Sequence, residues 1–144
     1  MRILVLNGPN LNLLGVREPG LYGTVDYDGL VALIQKECDA LGVQVRFYQS
    51  NHEGDLVDAI QAARNDCDGI VLNPGAYTHT SIAILDALKA VALPAAEVHI
   101  TDINQREEFR KVSYAGMACQ AHFIGQGIAG YLNAVRWLAG GSEQ

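Results

Sequence analysis

Cysteine is scarce in this chain of 144 residues, and none of its three cysteines forms a CxxC pair. An odd number without metal-like spacing is typical of reduced thiols in a cytosolic protein. The sequence also lacks long apolar runs, a charged leader, an apolar signal core and a cleavage site ahead of the strand-like run at residues 2–6. We therefore expect a cytoplasmic protein that does not span a membrane.

Clustered positive charge is missing as well. Ten Lys and Arg against sixteen Asp and Glu give a net charge of −6, spread along the chain without a basic run. Nucleic acid or an anionic membrane is therefore not expected as the main partner, because phosphate contacts need clustered cations. No HxxxH spacing and no cluster of Asp, Glu and His predicts a metal site.

The sequence also lacks the residues that Schiff-base catalysis and serine-nucleophile catalysis require. The lysines, Lys36, Lys89 and Lys111, fall within or just past predicted helices and not at strand ends, which disfavours a Schiff base. A GxSxG nucleophile elbow does not occur.

The segment from Gly125 to Gly130 matches GxGxxG after a strand, but the chain has no room for the acidic ribose partner about 20 residues later. Close packing of a helix on the sheet explains this pattern better.

What the chain does contain is an alternation of short apolar runs with helical patterns. About half of the residues are hydrophobic, at 49%. The predicted strands are 3–7, 43–49, 69–73, 96–100 and 122–125. The predicted helices are 26–42, 54–64, 80–91, a short stretch 105–110, and 130–138. This order predicts an α/β fold, a flavodoxin-like doubly wound sheet of five parallel strands in a single domain over 1–139, with a loose tail at 140–144.

The loop at about 8–24 is far longer than the 2–6 residues usual between a strand and its helix. Long loops of this kind are disproportionately lids or binding loops, and this one follows the first strand. It holds Arg17 and Tyr22, separated by Pro19 and Gly20. A guanidinium near a phenol lowers its pKa from about 10, which would make Tyr22 a usable base. Alternatively, Tyr22 packs under the loop and Arg17 is a solvated charge.

Polar residues follow several predicted strands, at the edge where ligands bind in open parallel sheets. They include Asn10 after the first strand, Asn73 and His79 after the third, and His99 near the end of the fourth. One histidine at a strand end is more often structural, but two beside several asparagines favour catalysis. Glu97 shares a strand face with His99 and could orient its imidazole and favour its protonated form as a general acid. The alternative is that Glu97 pairs with a surface cation.

These segments resemble the type II 3-dehydroquinate dehydratases. The resemblance is carried by five ordered motifs and extends to about residue 138. The motifs are NGPNLNLLG followed by REPGLYG in the 7–23 region, QSNHEG at 49–54, NPGAYTHTS at 73–81, EVH at 97–99 and REEFR at 106–110. The resemblance implies anti elimination of water from 3-dehydroquinate through an enolate, giving 3-dehydroshikimate in the shikimate pathway without a cofactor or metal. The same reaction also serves quinate breakdown.

Matching the motifs position by position implies a role for each candidate residue. Tyr22 would be the proton acceptor, Arg17 would stabilise its phenolate, and His99 would be the proton donor supported by Glu97. Asn10 would help to hold a water molecule that stabilises the enolate. The substrate would be bound by Asn73, His79, Arg110 and the backbone of Ile100 and Thr101. Asp86 would act at the site of a neighbouring subunit, in a homo-oligomer expected to be a dodecamer of trimers.

The chain departs from the family pattern at Thr101-Asp102 and at Asn104-Gln105. An aspartate facing a bound carboxylate would repel it, so we expect Asp102 to point away. A flavin carrier remains as an alternative function, whereas a receiver-type signalling domain is excluded by the sequence. A flavin carrier would need a phosphate loop rich in Ser, Thr and Gly after the first strand, and a receiver domain would need acidic residues in place of Asn7 and Asn73.

Overall fold

The computed structural model of this chain describes residues 1–16 and 25–140. Five parallel strands form one sheet in the order β2-β1-β3-β4-β5. They are β1 (Arg2–Asn7), β2 (Gln44–Gln49), β3 (Gly69–Asn73), β4 (Ala95–His99) and β5 (Ala121–Ile124). The predicted flavodoxin-like, doubly wound α/β sheet is thereby confirmed, with strand boundaries that shift by one residue in four of the five strands.

The described residues contain four α-helices: α1 (Tyr27–Leu41), α2 (Glu53–Asp66), α3 (Ile82–Val91) and α4 (Ala129–Leu138). The first three connect successive strands from β1 to β4, and α4 follows β5. The predicted cap of α1 is confirmed, since the Asp26 carboxylate accepts from the Gly29 amide at 2.8 Å. Gly42 ends this helix with a left-handed backbone. Ser81 caps α3 in the same way by accepting from the Ile84 amide.

The sheet is covered on both faces, as the continuous apolar runs predict. Alternate residues of each inner strand point to opposite faces, so Ile3 and Val5 pack under α1 and α4, whereas Leu4 and Leu6 pack under α2 and α3. Strands β3 and β4 are buried along their whole length, and the edge strands β2 and β5 are partly exposed. Burying each such leucine contributes roughly 1.5–3 kcal/mol before the entropic cost of ordering it.

The strand order places the topological switch between β1 and β3, because the chain winds from β1 to β2 in one direction and onward from β3 in the other. Connections to either side leave a crevice beyond the carboxyl ends of these strands. The fold therefore positions Asn7, Asn73 and His99 at the same edge of the sheet.

Two segments differ from simple expectation. The helix predicted over 105–110 is wrong: the structure has two 3₁₀ turns, Ile103–Gln105 and Glu108–Arg110. The extended backbone of Arg106 and Glu107 separates them, and the Asp102 carboxylate caps the first by accepting from the Asn104 amide. A continuous helix would need helical dihedral angles at both intervening residues.

The GxGxxG segment is explained by its backbone hydrogen bonds. Gly125 and Gly127 have positive φ angles, and their amides donate to the carbonyls of His99 and Ile100. These amides donate hydrogen bonds to the residues at the end of β4. In a dinucleotide-binding loop, the amides would instead point towards a pyrophosphate.

All three cysteines lie in the described part of the chain as free thiols, with Cys38 and Cys67 buried. In that same part, no helix has the length and apolar character needed to cross a bilayer. Over residues 1–16 and 25–140, no three side chains of His, Cys, Asp or Glu are arranged to hold a metal ion.

Candidate active site

A cleft lies beyond the carboxyl ends of β1, β3 and β4, with about 640 Å³ of empty volume including its open mouth. Its lining comes from the ends of these three strands and the segments that follow them: Pro9, Asn10, Leu11, Asn73, Gly75, Ala76, His79, His99, Ile100, Thr101, Ile103, Arg106 and Arg110.

The loops after β1 and β3 interlock at the base of the cleft. A Cβ on Gly8 would lie 2.2 Å from the Pro74 carbonyl oxygen, and Gly75, at φ +62°, would place its Cβ 2.9 Å from the Pro9 oxygen. Because both neighbours are backbone atoms, neither loop can retreat without changing the site. The two glycines thus allow the loops to meet where Asn10 and Asn73 are presented.

Amide side chains hold the described beginning of the long loop against β2. The Asn51 side-chain oxygen accepts from the Asn10 backbone amide at 3.0 Å and from the Gln49 amide group at 3.2 Å. Gln49 also donates to the Gly8 carbonyl. Asn10 itself has φ 70°, a left-handed conformation that asparagine tolerates better than most residues. This network positions Asn10 at the cleft from its backbone.

Beneath the cleft, a buried tyrosine joins the ends of β1 and β3. The Tyr131 hydroxyl donates to Asn7 Oδ1 at 2.7 Å and accepts from Asn73 Nδ2 at 2.9 Å. Burial raises the pKa of Tyr131 above its ordinary range, so the phenol stays neutral and keeps its proton. Asn73 Oδ1 also accepts from the Gly75 amide. Because the Asn73 Nδ2 group has two hydrogens and donates one to Tyr131, the second can be donated to a ligand.

His79 is held in a single tautomer. Its Nδ1 lies 2.7 Å from the Val112 carbonyl oxygen, which can only accept, so Nδ1 carries the proton. Burial lowers the pKa of His79 from 6.5, and this outweighs the raising effect of that hydrogen bond. The ring is therefore neutral near pH 7, and Nε2 is an acceptor suited to a hydroxyl group of a ligand.

His99 and Glu97 form a buried pair at the end of β4. Their side chains are 5% and 2% exposed, and His99 Nε2 lies 2.8 Å from Glu97 Oε2. Ser113 Oγ donates to the same oxygen, and His122 Nδ1 lies 2.5 Å from the other oxygen, Oε1. Burial alone would raise the pKa of Glu97, but the hydrogen bonds from His99, Ser113 and His122 reverse this and lower it to about 2. Glu97 is thus an ionised carboxylate at physiological pH.

An ionised Glu97 fixes how His99 can act. The Glu97 carboxylate accepts a hydrogen bond from Nε2–H of His99. Because His99 lines the cleft, its other ring nitrogen, Nδ1, is available to a ligand there. Nδ1 is therefore the ring nitrogen from which a proton could be donated to a group in the cleft. This pairing agrees with the orienting role predicted for Glu97, which also contacts the exposed His122.

The electrostatic character of the cleft is positive. Arg106 and Arg110 both line it, whereas none of its described lining residues is an aspartate or a glutamate. Arg110 Nε donates to both carboxylate oxygens of Glu107, at 3.2 and 3.0 Å, which orients its guanidinium. Two arginines and a neutral, acceptor-bearing His79 suit a small anion that carries hydroxyl groups.

The structure brings most of the predicted site residues together. Asn10, Asn73, His79, His99, Ile100, Thr101 and Arg110 all line the cleft, with Glu97 directly behind His99. Asp86 is exposed on α3 and does not line it. Arg17 and Tyr22 lie outside the described residues. As expected, Asp102 is turned from the cleft, since its carboxylate caps the 103–105 turn.

Sequence reasoning did not identify Tyr131, Ser113, His122 and Arg106 as parts of this site. Arg106 could have been found together with Arg110 in the REEFR motif, since it precedes the Glu108–Arg110 turn that Arg110 ends. Tyr131 could have been suspected as a polar tip on an apolar helix face, because a buried tyrosine hydroxyl usually has a partner. Ser113 and His122 carried no local signal, because each reaches Glu97 only through the tertiary fold.

Comparison with known proteins gives a consistent result. A family model described as dehydroquinase class II matches residues 1–139. The 3-dehydroquinate dehydratase of Lachnospira eligens is 53% identical over 137 residues, covering 94% of this chain and 93% of the relative. A type II dehydroquinase crystal structure from Butyrivibrio crossotus has a TM-score of 0.94 and 50% identity, covering 96% of this chain and 97% of its own. A 3-dehydroquinate dehydratase-like protein from Bifidobacterium longum has a TM-score of 0.71 and 29% identity, covering 96% of this chain and 95% of its own.

Proposed function

Because this chain belongs to the class II dehydroquinase family, we propose that it is a 3-dehydroquinate dehydratase of the shikimate pathway. The observation that carries the proposal is the His99–Glu97 pair, buried at the end of β4 and opening onto a cleft with two arginines. A lyase that removes water must protonate a departing hydroxyl group, and this pair provides a positioned acid. The same reaction in quinate breakdown is a second candidate role.

The reaction proceeds in two steps that share the cleft. A base removes the proton beside the ketone, and the electron pair passes to the carbonyl oxygen to form an enolate. When the enolate collapses, the carbon–oxygen bond to the hydroxyl group breaks, and Nδ1 of His99 donates a proton so that water leaves. Glu97 remains a carboxylate throughout and keeps the His99 ring oriented through its hydrogen bond to Nε2.

On the base side we assign Tyr22, with Arg17 as the cation that stabilises its phenolate. Both belong to the loop at 8–24, for which we propose the role of a lid. Asn10, at the described beginning of that loop, lines the cleft and would help to hold the water that stabilises the enolate oxygen.

Substrate binding draws on the remaining lining residues. His79 Nε2 and Asn73 Nδ2 are placed for hydroxyl groups, and Arg110 adds charge-assisted donors. Ile100 and Thr101 follow β4 directly, and we assign their backbone amides to the substrate carboxylate. The position of Asp102 supports this, because its own carboxylate is engaged with the Asn104 amide.

We further propose a cytoplasmic homo-oligomer, a dodecamer of trimers, in which Asp86 serves the site of a neighbouring subunit. Its exposure on α3 supports this, since the side chain does not reach the cleft of its own chain. The enzyme needs no metal and no cofactor. Activity should therefore survive a chelator, and it should survive borohydride added with substrate, whereas irreversible inactivation with substrate mass on the protein would refute this part.

The decisive experiment follows the conjugated enone product spectrophotometrically after 3-dehydroquinate is added. The parent protein should turn over, and His99→Ala should lose about 10²–10⁴-fold in kcat while it still binds substrate, because its proton is needed mainly in the transition state. Absence of product from the parent would refute the function. A His99→Ala variant within a few-fold of the parent would remove His99 from the mechanism.

The base assignment has its own test in the pH profile of turnover. Tyr22→Phe should be inactive at every pH, because the ring remains but the base is lost. Arg17→Ala should be slow and should recover as the pH rises, because an unassisted phenol ionises only near its ordinary pKa of about 10. Arg17→Lys should restore only part of the rate. An unmoved basic limb in Arg17→Ala would show that Arg17 positions the lid or substrate instead.

A further inference from the structure

We infer that His122 is a positioning residue for the acid, holding the Glu97 carboxylate against His99 from the oxygen that His99 does not use. This inference rests on the proposed function, because it gives His122 a role in delivering the His99 proton. His122 does not line the cleft. Its effect on the reaction therefore passes through Glu97.

The sheet itself creates the contact. Glu97 on β4 and His122 on β5 are directly paired in the parallel register, so their side chains project from the same face. The two carboxylate oxygens are then divided between the two histidines, with Oε2 at 2.8 Å from His99 Nε2 and Oε1 at 2.5 Å from His122 Nδ1. The geometry is a bridge in which one buried carboxylate separates a cleft histidine from an exposed one.

Two of the three side chains in this bridge are buried, and the third is exposed. His99 and Glu97 are 5% and 2% exposed, whereas His122 is 45% exposed on an edge strand. A buried carboxylate oxygen without a donor would lose its hydration with no replacement, at a cost that hydrogen bonding must offset. His122 supplies that donor to Oε1, while Ser113 and His99 serve Oε2.

The space around Oε1 is shaped to hold the carboxylate in one place. A Cβ on Gly116 would lie 2.4 Å from Oε1 and 2.8 Å from Ser113 Oγ. The Gly116 amide in turn donates to Ser113 Oγ at 2.9 Å, which orients that hydroxyl towards Glu97. Without the donor from His122, Oε1 would be free to turn towards other donors, and the oxygen facing His99 would turn with it.

The titratable groups placed against this carboxylate are His99 from its own strand, His122 from β5, and Cys119 from the segment before β5. Burial raises the pKa of Cys119 to about 12, with a smaller contribution from the Glu97 charge, so the thiol stays neutral. Because Glu97 is an acceptor, Nδ1 of His122 donates whether the ring is neutral or charged. The role of His122 is therefore that of a donor, which a neutral amide can replace.

The test compares two variants at this position. His122→Asn places an amide nitrogen near the Nδ1 position, whereas His122→Val suits an edge strand but removes the donor. For His122→Val we expect kcat to fall about 10–100-fold, the range seen when outer-shell partners of metal-binding histidines are removed, with KM nearly unchanged. His122→Asn should stay within a few-fold of the parent at all pH values. In a His99→Ala background, His122→Val should cause no further loss.

In the otherwise unchanged protein, full activity of His122→Val would overturn the inference, and so would a His122→Asn variant as slow as His122→Val. An equal fall in the His99→Ala background would also overturn it, since it would indicate general damage. Double-mutant cycles in urea unfolding supply a readout that needs no turnover, and the effects of His99→Ala and His122→Val should be non-additive through Glu97. If the parent does not dehydrate 3-dehydroquinate, the proposed function fails, and additivity in this cycle still decides against His122.

Discussion

Replacing Glu97 by glutamine removes a negative charge that lies buried behind His99 and keeps almost the same shape. Three donors converge on the two carboxylate oxygens, from His99, Ser113 and His122. An amide offers one oxygen and one NH₂ group, so at least one donor would face another donor. We therefore expect Glu97→Gln to disturb the alignment of His99 in addition to removing the negative charge behind it.

The pKa of Glu97 sets the magnitude. A change from the ordinary value of 4.5 to about 2 corresponds to roughly 3 kcal/mol of stability, at about 1.4 kcal/mol for each unit of pKa. Because the folded-state pKa is lowered, this contribution is fully present above pH 4.5 and is lost as the pH falls towards 2. The difference in unfolding free energy between parent and Glu97→Gln should accordingly shrink across that window.

The assay is urea unfolding at a series of pH values from 7 to 2.5, at one protein concentration, because association would otherwise shift the midpoint. Glu37→Gln is a matched control, since Glu37 makes a two-point ion pair with Arg136 at the protein surface. Such pairs contribute at most about 1 kcal/mol. In parallel, kcat of Glu97→Gln should fall about 10–100-fold.

Either of two results would refute this reasoning. A stability difference that stays constant from pH 7 to 2.5 would mean that Glu97 acts by packing and not by charge. A loss of unfolding free energy no larger than that of Glu37→Gln would mean that the hydrogen bonds to Glu97 only offset the free-energy cost of burying it.

Three other predictions address the site and its assembly. Gly8→Ala should destabilise the protein by about 1–3 kcal/mol and impair turnover, because the new Cβ meets the backbone of the neighbouring loop, whereas Gly54→Ala, which meets nothing within 4 Å, should be neutral or stabilising by about 0.5 kcal/mol. Tyr131→Phe should cost about 1–3 kcal/mol in thermal or urea unfolding and raise KM, because it leaves two buried asparagines short of a partner; a KM equal to that of the parent would contradict its role under the cleft. Light scattering should report a symmetric homo-oligomer, and an active monomer of the mass of one chain would contradict the proposed assembly.

Much of the fold was predictable from the sequence because its signals are local. Short continuous apolar runs mark the strands, apolar residues repeat about every 3.6 positions in the helices, and caps such as Asp26 and Gly42 mark helix ends within a few residues. Since parallel strands end at a common edge, the residues that follow each predicted strand could be grouped from their positions in the chain. Asn10, Asn73, His79 and His99 were identified in this way, and the spacing of Glu97 and His99 on one strand predicted their contact.

The long-range contacts of the site were decided by the tertiary structure. Tyr131 lies 124 residues from Asn7, and His122 lies 25 residues from Glu97, yet each pair is within hydrogen-bond distance. Such contacts depend on strand order and on register, and a shift of one residue in β5 would have turned His122 to the opposite face of the sheet. The sequence alone therefore determined the fold and the residues at the edge of the sheet, whereas the tertiary structure decided which side chains support them, because register and the packing of distant elements have no local signal.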